Sequence, residues 1–186
     1  MRYDYDSVVI GGGAAGLVAA TGTAALGAKT ALIEKNKLGG DCTWYGCIPS
    51  KSLLKSAQVF SIVKRLKEFG ISAGARNTYD SSLVMSHVRD VIEKISAHHP
   101  AEVFENRGIR VLFGSPKFLD QKTLECKGEK ISAKRFIIAT GSRPMIPPIA
   151  GLKDVGYLTN ENIFDLEVLP QSLAVLGGGP IGMELS

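Results

Sequence analysis

Two cysteines, Cys42 and Cys47, have the most distinctive chemistry in this sequence. They lie in the stretch GGDCTWYGCIPSK, residues 39–51, with four residues between them and a proline and a lysine after them. A close cysteine pair can hold a metal ion, form a structural disulfide, or open and close as a disulfide during catalysis. The other motifs of the sequence distinguish among these three roles.

The first two possibilities have weak support. A structural zinc site usually has four protein ligands, but Cys126 is far away in the sequence and the three histidines show no ligand spacing. These histidines are His87, His98 and His99. A structural disulfide would close too short a loop to constrain the unfolded chain much. Three cysteines are also too few for a secreted disulfide scaffold, so we expect a reducing compartment. From the ligand spacing, we expect no metal site.

A redox-active pair fits the pattern better. Pro49 suits the first turn of a helix, where its missing N–H costs nothing. A helix that begins there would bring the partial positive charge of its N-terminus next to a thiol, and Lys51 adds a further positive charge. Both charges favour a thiolate, which is the reactive form of a cysteine that exchanges disulfides.

The elements before the cysteines form a nucleotide-binding pattern. A short apolar run rich in β-branched residues spans residues 5–10, and a helix of small residues ends near Gly27. A second buried strand then ends at Glu34. Strand, glycine turn, helix, strand and acid, in this order, are typical of a βαβ dinucleotide-binding unit.

The glycine turn of this unit reads Gly11-x-Gly13-x-x-Gly16. The first glycine makes the tight turn, the second lets the backbone approach a pyrophosphate, and the third lets the helix pack on the strand. Glu34 follows Gly16 by 18 residues, where it would accept hydrogen bonds from a ribose. The alternative is a glycine-rich loop without a ligand.

A second turn of the same kind, Gly177-x-Gly179-x-x-Gly182, follows a predicted strand at residues 173–176. Two such turns imply two dinucleotides and an enzyme that passes electrons between them. The alternative is a glycine-rich turn near a disordered end.

Between the two turns, the sequence predicts helices, short strands and a linker. Apolar spacing predicts one helix over residues 49–70 and another over about residues 81–107. Residues 110–140 have the pattern of short strands with turns, in which Cys126 is a small packing residue. Residues 143–151, with three prolines, are interpreted as a linker.

The amino-acid composition and the net charge limit the kinds of protein and of partner that we expect. The 186 residues are 45% apolar and 22% charged, which is ordinary for a globular protein. The formal net charge is +4 with scattered lysines and arginines, so we expect neither nucleic acid nor a membrane as partner. Because the N-terminus has no secretory leader pattern and no long apolar segment occurs, a cytoplasmic location is expected.

Taken in order, these motifs resemble those of a known enzyme family. The order is the first glycine turn, Glu34, GGDCTWYGCIPSK, ATGSRP at residues 139–144 and the second turn GGGPIGMEL. It resembles the FAD-dependent pyridine nucleotide–disulfide oxidoreductases, which include dihydrolipoamide dehydrogenase, glutathione reductase and mercuric reductase. The resemblance spans all 186 residues.

The resemblance implies an α/β fold. Residues 1–150 would form a Rossmann-like FAD-binding domain with an inserted helical pair and a small antiparallel sheet. Residues 151–186 would be a linker and the first strand, turn and helix of an NAD(P)-binding domain. The chain is therefore expected to be truncated at the start of that second domain, without a later segment that completes the FAD-binding domain.

The resemblance also implies which residues bind cofactors. Those assigned to FAD are Gly11, Gly13, Ala15, Gly16, Glu34, Lys35, Gly40, Asp41, Cys42, Lys51, Gly114, Thr140 and Gly141. Those assigned to NAD(P)H are Gly177, Gly179 and Gly182. Within the FAD set, Glu34 would hold the adenosine ribose, backbone near Gly114 would contact the adenine end, and Lys51 would approach the flavin N5 region.

The implied reaction passes electrons from NAD(P)H through FAD to the disulfide of Cys42 and Cys47, and on to a small-molecule disulfide or a metal ion. Cys47 would be the thiol beside the flavin, Cys42 the one that meets the substrate, and Lys51 would stabilise the reduced flavin by its charge. The full-length parent would be a homodimer with a catalytic histidine in a later domain, so this chain alone is expected to lack full turnover.

Two residues of the cysteine motif depart from the commonest family pattern. Asp41 stands where many members have threonine, and Trp44 where many have asparagine. These departures indicate the mercuric reductase-like subgroup. Two rival functions stay open: a diaphorase or transhydrogenase flavoprotein in which the thiols are dispensable, and a module that only binds flavin.

Overall fold

The computed structural model describes residues 2–72 and 78–186. The strands in this part of the chain are β1 (Tyr5–Ile10), β2 (Thr30–Glu34), β3 (Ile109–Phe113), β4 (Lys117–Phe118), β5 (Thr123–Cys126) and β6 (Glu129–Ile138). The α-helices are α1 (Ala14–Ala25), α2 (Gly40–Trp44), α3 (Cys47–Lys64), α4 (Ser81–Ser96), α5 (Ala101–Glu105) and α6 (Pro180–Leu185). No helix among the described residues has the length and apolar content to cross a membrane.

The strands form one 6-stranded sheet in the order β3-β2-β1-β6-β5-β4. Strands β3, β2, β1 and β6 are parallel to one another, whereas the β6–β5 and β5–β4 pairs are antiparallel. Strand β6 belongs to both parts, because Ser132 pairs with β5 while Ala133 begins the pairing with β1. This arrangement confirms the expected α/β, Rossmann-like fold with a small antiparallel sheet.

The chain divides into two compact units, each built from two stretches. The first unit contains the residues up to Cys42 together with Ile95–Arg143. The second contains Thr43–Lys94 and Pro144–Ser186. This is a division by contacts, so the assignment of residues 1–150 and 151–186 to two nucleotide-binding domains stays a prediction.

The core of the first unit lies on both faces of the sheet, as expected for buried parallel strands. Successive residues of β1 face opposite sides: Val8 packs against the antiparallel strands, and Val9 packs against α1 and α5. Both are fully buried. The two layers hold the carboxyl ends of β1 and β2 in fixed positions, and the glycine turn follows directly from the first of them.

The core of the second unit is built around α4, whose buried face is formed by Met85, Val88 and Ile92. Half-buried Trp44 packs against this cluster. The guanidinium of Arg89 donates a hydrogen bond to the carbonyl oxygen of Leu166 at 3.0 Å. The tryptophan that departs from the commonest family motif therefore contributes to packing.

Two predicted elements differ in the structure. The helix expected over residues 81–107 is two helices, α4 and α5, because Pro100 has an extended ψ of 156° and keeps the residue before it from the helical region. The strand expected at residues 173–176 pairs with no other described segment. A parallel strand needs a hydrogen-bonded neighbour, and the described residues offer none there.

Candidate functional site

The first glycine turn is packed so closely that side chains do not fit. Gly11 has a φ of 106°, and a Cβ on it would lie 2.2 Å from the carbonyl oxygen of Ala139. A Cβ on Gly16 would lie 1.7 Å from the oxygen of Gly11. Gly13 is the N-cap of α1 and no described side chain caps that helix. The first N–H groups of α1 are therefore available to an anion such as a pyrophosphate.

Glu34 is buried at the end of β2 and binds the glycine turn directly. One carboxylate oxygen accepts a hydrogen bond from the Gly12 N–H at 2.6 Å, and the other accepts from the Asn36 N–H at 2.7 Å. A carboxylate has about four lone-pair directions, so further acceptor capacity remains for ribose hydroxyls. The neighbouring Lys35 is exposed.

Gly114 and the segment after β6 lie next to these residues in the first unit. The Gly114 N–H donates to the carbonyl oxygen of Glu34 at 2.8 Å. The Ala139 N–H donates to Ile10 at 2.8 Å, which brings Thr140 beside the first glycine turn. Gly141 follows with a φ of 69°. The predicted adenine, ribose and pyrophosphate residues of the first unit thus lie at the carboxyl ends of adjacent strands, where α/β folds bind nucleotides.

The residues that lead to the cysteines also contact the glycine turn. Gly40 has a φ of 60°, and a Cβ on it would lie 2.6 Å from the Cα of Gly13. Exposed Asp41 and half-buried Cys42 follow on α2. Ala15, in the first turn of α1, is exposed. Gly40 therefore has to be glycine both for its backbone angle and for its contact with the turn.

Cys47 is the first residue of α3 and is exposed. The predicted first-turn proline, Pro49, lies two residues later and is buried. Cys126 is buried and packs in the core of the first unit. Among the described residues, no cluster of three or more His, Cys, Asp or Glu side chains is suited to a metal ion.

Lys51, one turn into α3, forms an ion pair with Glu184 of α6. The hydrogen bond from Lys51, followed by one from the Ser50 side chain, holds the pKa of Glu184 below its usual range. Sequence reasoning missed Glu184, because the pair joins residues 133 positions apart. The only signal was an acidic residue on the helix that follows the second glycine turn.

The second glycine turn repeats the conformation of the first. Gly177 has a φ of 108°, close to the 106° of Gly11. Gly179 is an N-cap with φ −74° and ψ 175°, and Gly13 has φ −80° and ψ −172°. A Cβ on Gly182 would lie 2.2 Å from the oxygen of Gly177. The same steric arrangement therefore opens both α1 and α6.

Comparisons with known proteins agree with this geometry. A sequence profile of the family described as Pyridine nucleotide-disulphide oxidoreductase matches residues 5–186. Mercuric reductase from Bacillus cereus is 37% identical over 184 residues, which are 99% of this chain and 29% of that protein. Dihydrolipoyl dehydrogenase from Acholeplasma laidlawii is 35% identical over 190 residues, covering 100% of this chain and 56% of that protein.

A solved structure is similar over nearly the whole chain. The HOCl-induced flavoprotein disulfide reductase RclA from Escherichia coli matches with a TM-score of 0.81 and 29% sequence identity. The match covers 97% of this chain and 38% of that chain. The chain thus spans between 29% and 56% of the length of these three relatives.

Proposed function

This chain belongs to the pyridine nucleotide–disulphide oxidoreductases, and on that premise we propose that it carries the FAD site and the redox-active dithiol of an NAD(P)H-dependent reductase. The family uses FAD and NAD(P)H. The proposed final acceptor is a small-molecule disulfide or a metal ion, reduced in the cytoplasm by a homodimer of the full-length protein.

One observation carries the proposal. In the second unit, the helix that begins at Cys47 is joined by the Lys51–Glu184 ion pair to the helix that follows the second glycine turn. A cationic side chain thereby lies one turn from Cys47 and is paired with the helix that follows the second glycine turn. Such an arrangement suits electron transfer from a dinucleotide to a disulfide better than it suits a module that only binds flavin.

The residues of the first unit fit FAD. The N-terminus of α1 has no side-chain cap, which suits phosphate oxygens, and buried Glu34 has acceptor capacity for a ribose. Lys51 belongs to the second unit, and its proposed role, which comes from the family resemblance, is to stabilise an anionic flavin by its charge. When bound, FAD would accept a hydride and return two electrons to a disulfide. We assign no metal as a resident cofactor.

The chemistry of the dithiol follows from thiol–disulfide exchange. The thiolate of Cys42 attacks one sulfur of the substrate, which releases one substrate thiol and leaves a mixed disulfide. Cys47 then attacks the sulfur of Cys42, which releases the second substrate thiol and closes the protein disulfide. Two electrons have passed from the dithiol to the substrate, and two electrons are needed to open the disulfide again.

The test counts thiols in the FAD-loaded chain. The protein is oxidised in air, mixed with FAD, desalted, reduced photochemically under anaerobic conditions, and labelled with a maleimide. We expect retained flavin absorbance and a gain of two labelled thiols on reduction. C126S should behave as the wild type, whereas C47S should gain none, because no internal disulfide can form.

Two outcomes would contradict the proposal. A colourless protein after desalting would mean that this chain has no self-sufficient flavin site. Retained flavin with an unchanged thiol count would favour the rival diaphorase-type function, in which the thiols are dispensable.

A further inference from the structure

The hairpin between β5 and β6 has an unusual residue in its turn. Lys127 and Gly128 connect the strands with φ values of 51° and 81°. Positive φ at both positions is the pattern of a type I′ turn, in which the first position is normally asparagine, aspartate or glycine. Lys127 is the one non-glycine residue with positive φ in the described part of the chain. Because a positive φ is disfavoured for lysine, the turn itself does not explain why this residue is Lys127. We therefore consider what its side chain contacts.

The side chain of Lys127 lies over Gly114. Its Cγ and Cε atoms are 3.2 Å and 3.5 Å from the position that a Cβ on Gly114 would occupy. The ammonium is one bond beyond Cε, so it is close to the same residue. Gly114 in turn donates its N–H to the carbonyl oxygen of Glu34. The lysine is therefore at the end of the proposed site where the adenosine would lie.

Lys127 forms no ion pair with the described residues of the first unit. The ion pairs formed there are Arg110–Glu129 and Lys134–Asp6. Lys127 forms no ion pair with Glu34, whose carboxylate accepts hydrogen bonds from the Gly12 and Asn36 N–H groups. An ammonium with three donors that forms no ion pair with the described residues can donate to a neutral acceptor of a ligand.

We propose that Lys127 is a wall of the adenosine subsite and that its ammonium donates a hydrogen bond to a ring nitrogen of adenine. This inference rests on the proposed function, since it takes the adenine of FAD to lie at Gly114. Adenine presents ring nitrogens as acceptors, which an ammonium can recognise. The pyrophosphate is a poorer partner, because its proposed site follows β1, two strand spacings or about 10 Å from the end of β3.

Two substitutions of Lys127 distinguish the contribution of its ammonium to binding from the contributions of its apolar stem and of the turn conformation. K127M keeps the stem and removes the ammonium, while K127N removes both and supplies a residue that suits positive φ. K130M is the matched control, since Lys130 is an exposed lysine three positions further along the same hairpin. Each variant of the full chain is titrated with FAD by flavin fluorescence and with ADP by competition, and its melting temperature is measured.

We expect K127M and K127N to raise the Kd for FAD and for ADP by about 3- to 10-fold, as for the net loss of one ordinary hydrogen bond from an exposed side chain. K127N should melt at the same temperature as the wild type or higher, which a purely structural role for the lysine would not produce. K130M should change neither the Kd nor the melting temperature.

The outcomes that would overturn this inference differ from those that would overturn the proposed function. Wild-type binding of FAD with unchanged affinity in both Lys127 variants overturns the role of Lys127 alone. Weaker binding in K127N with normal binding in K127M would show that the stem acts and the ammonium does not. If the wild type binds neither FAD nor ADP, the flavin site of the proposed function and this inference both fail.

Discussion

Two glycines of α1, Gly16 and Gly22, have opposite steric environments and should respond differently to the same change. A methyl group on Gly16 would collide with the backbone oxygen of Gly11, whereas one on Gly22 meets no atom within 4 Å. We expect G16A to abolish FAD binding, because α1 must move away from the glycine turn. G22A should bind FAD normally and raise the free energy of unfolding by about 0.5–1 kcal/mol through helix propensity.

Fluorescence titration with FAD and denaturant unfolding of both variants check this prediction. FAD affinity in G16A within 3-fold of the wild type, a margin of about 0.7 kcal/mol, would show that the close approach of α1 to the turn is not required. A loss of stability in G22A would show that the helix needs the flexibility of glycine at that position.

The Lys51–Glu184 ion pair should determine the pH at which Glu184 titrates. Since the hydrogen bond from Lys51 lowers the pKa of Glu184, the pair favours the folded state above the unfolded carboxyl pKa of about 4.3. This contribution is lost as the pH falls through the lowered pKa of the folded protein. In K51M, the Glu184 pKa should rise toward its usual value, as followed by carboxyl NMR. In R65M, which breaks the exposed Arg65–Glu68 pair instead, the pKa of Glu184 should not change.

At the scale of elements, strand β6 depends on a contact with the start of β1. The Ser132 N–H and hydroxyl both donate to one carboxylate oxygen of Asp4, at 2.9 and 2.6 Å. Ser132 is the last residue of β6 that pairs with β5, and Ala133 is the first that pairs with β1. Asp4 therefore fixes the position at which β6 changes from antiparallel to parallel pairing.

The Asp4 contact should make stability depend on pH. The hydrogen bonds from Ser132, the side-chain bond first, lower the pKa of Asp4. The stabilisation is present above the unfolded pKa of about 3.9 and is lost as the pH falls through the folded value. We expect D4N to be less stable than the wild type at pH 7 and similar to it near pH 2. Urea unfolding at both pH values checks this, with D154N, a change on an exposed turn, as the control. An equal difference at both pH values would assign the effect to shape rather than to charge.

The elements that the sequence predicted correctly are those whose signals are local. The order of β1, glycine turn, α1 and β2 follows from apolar runs and glycines that are adjacent in the chain. The helix expected to continue to residue 107 ends at Ser96, and the proline at position 100, which separates α4 from α5, is a local signal that was overlooked.

Features that depend on contacts between residues distant in the chain could not be predicted from local sequence patterns. The predicted strand at residues 173–176 has the right composition, but composition does not supply a hydrogen-bonded neighbour. Glu184 was missed because its role depends on a lysine of another helix. Trp44, which looked like a residue of the redox motif, packs against the core around α4. Its size and apolar surface predict burial as readily as a role in substrate binding.

At the scale of the whole molecule, the chain contains a glycine turn that we propose binds FAD, a cysteine pair and a second glycine turn of the same conformation. It spans 29% of the Bacillus cereus relative and 56% of the Acholeplasma laidlawii relative. In the proposed reaction, complete turnover would use a hydride donor, a flavin, a dithiol and an acid–base group, and we assign that last role to none of His87, His98 and His99. Binding of FAD is therefore a more direct property to measure on these residues than catalytic rate.

FAD should stabilise the folded chain by an amount set by the ratio of its free concentration to its Kd. At a free concentration 100 times its Kd, a ligand that binds only the folded state adds about 2.7 kcal/mol to the free energy of unfolding. For a chain of 186 residues this corresponds to a rise in melting temperature of about 5–10 °C. Flavin mononucleotide at the same concentration should give a smaller rise, because it lacks the adenosine that Glu34 and Gly114 are proposed to hold. Differential scanning fluorimetry measures both shifts. Equal shifts with the two flavins would mean that the adenosine end contributes nothing, which would contradict the assignment of the first glycine turn and Glu34 to FAD.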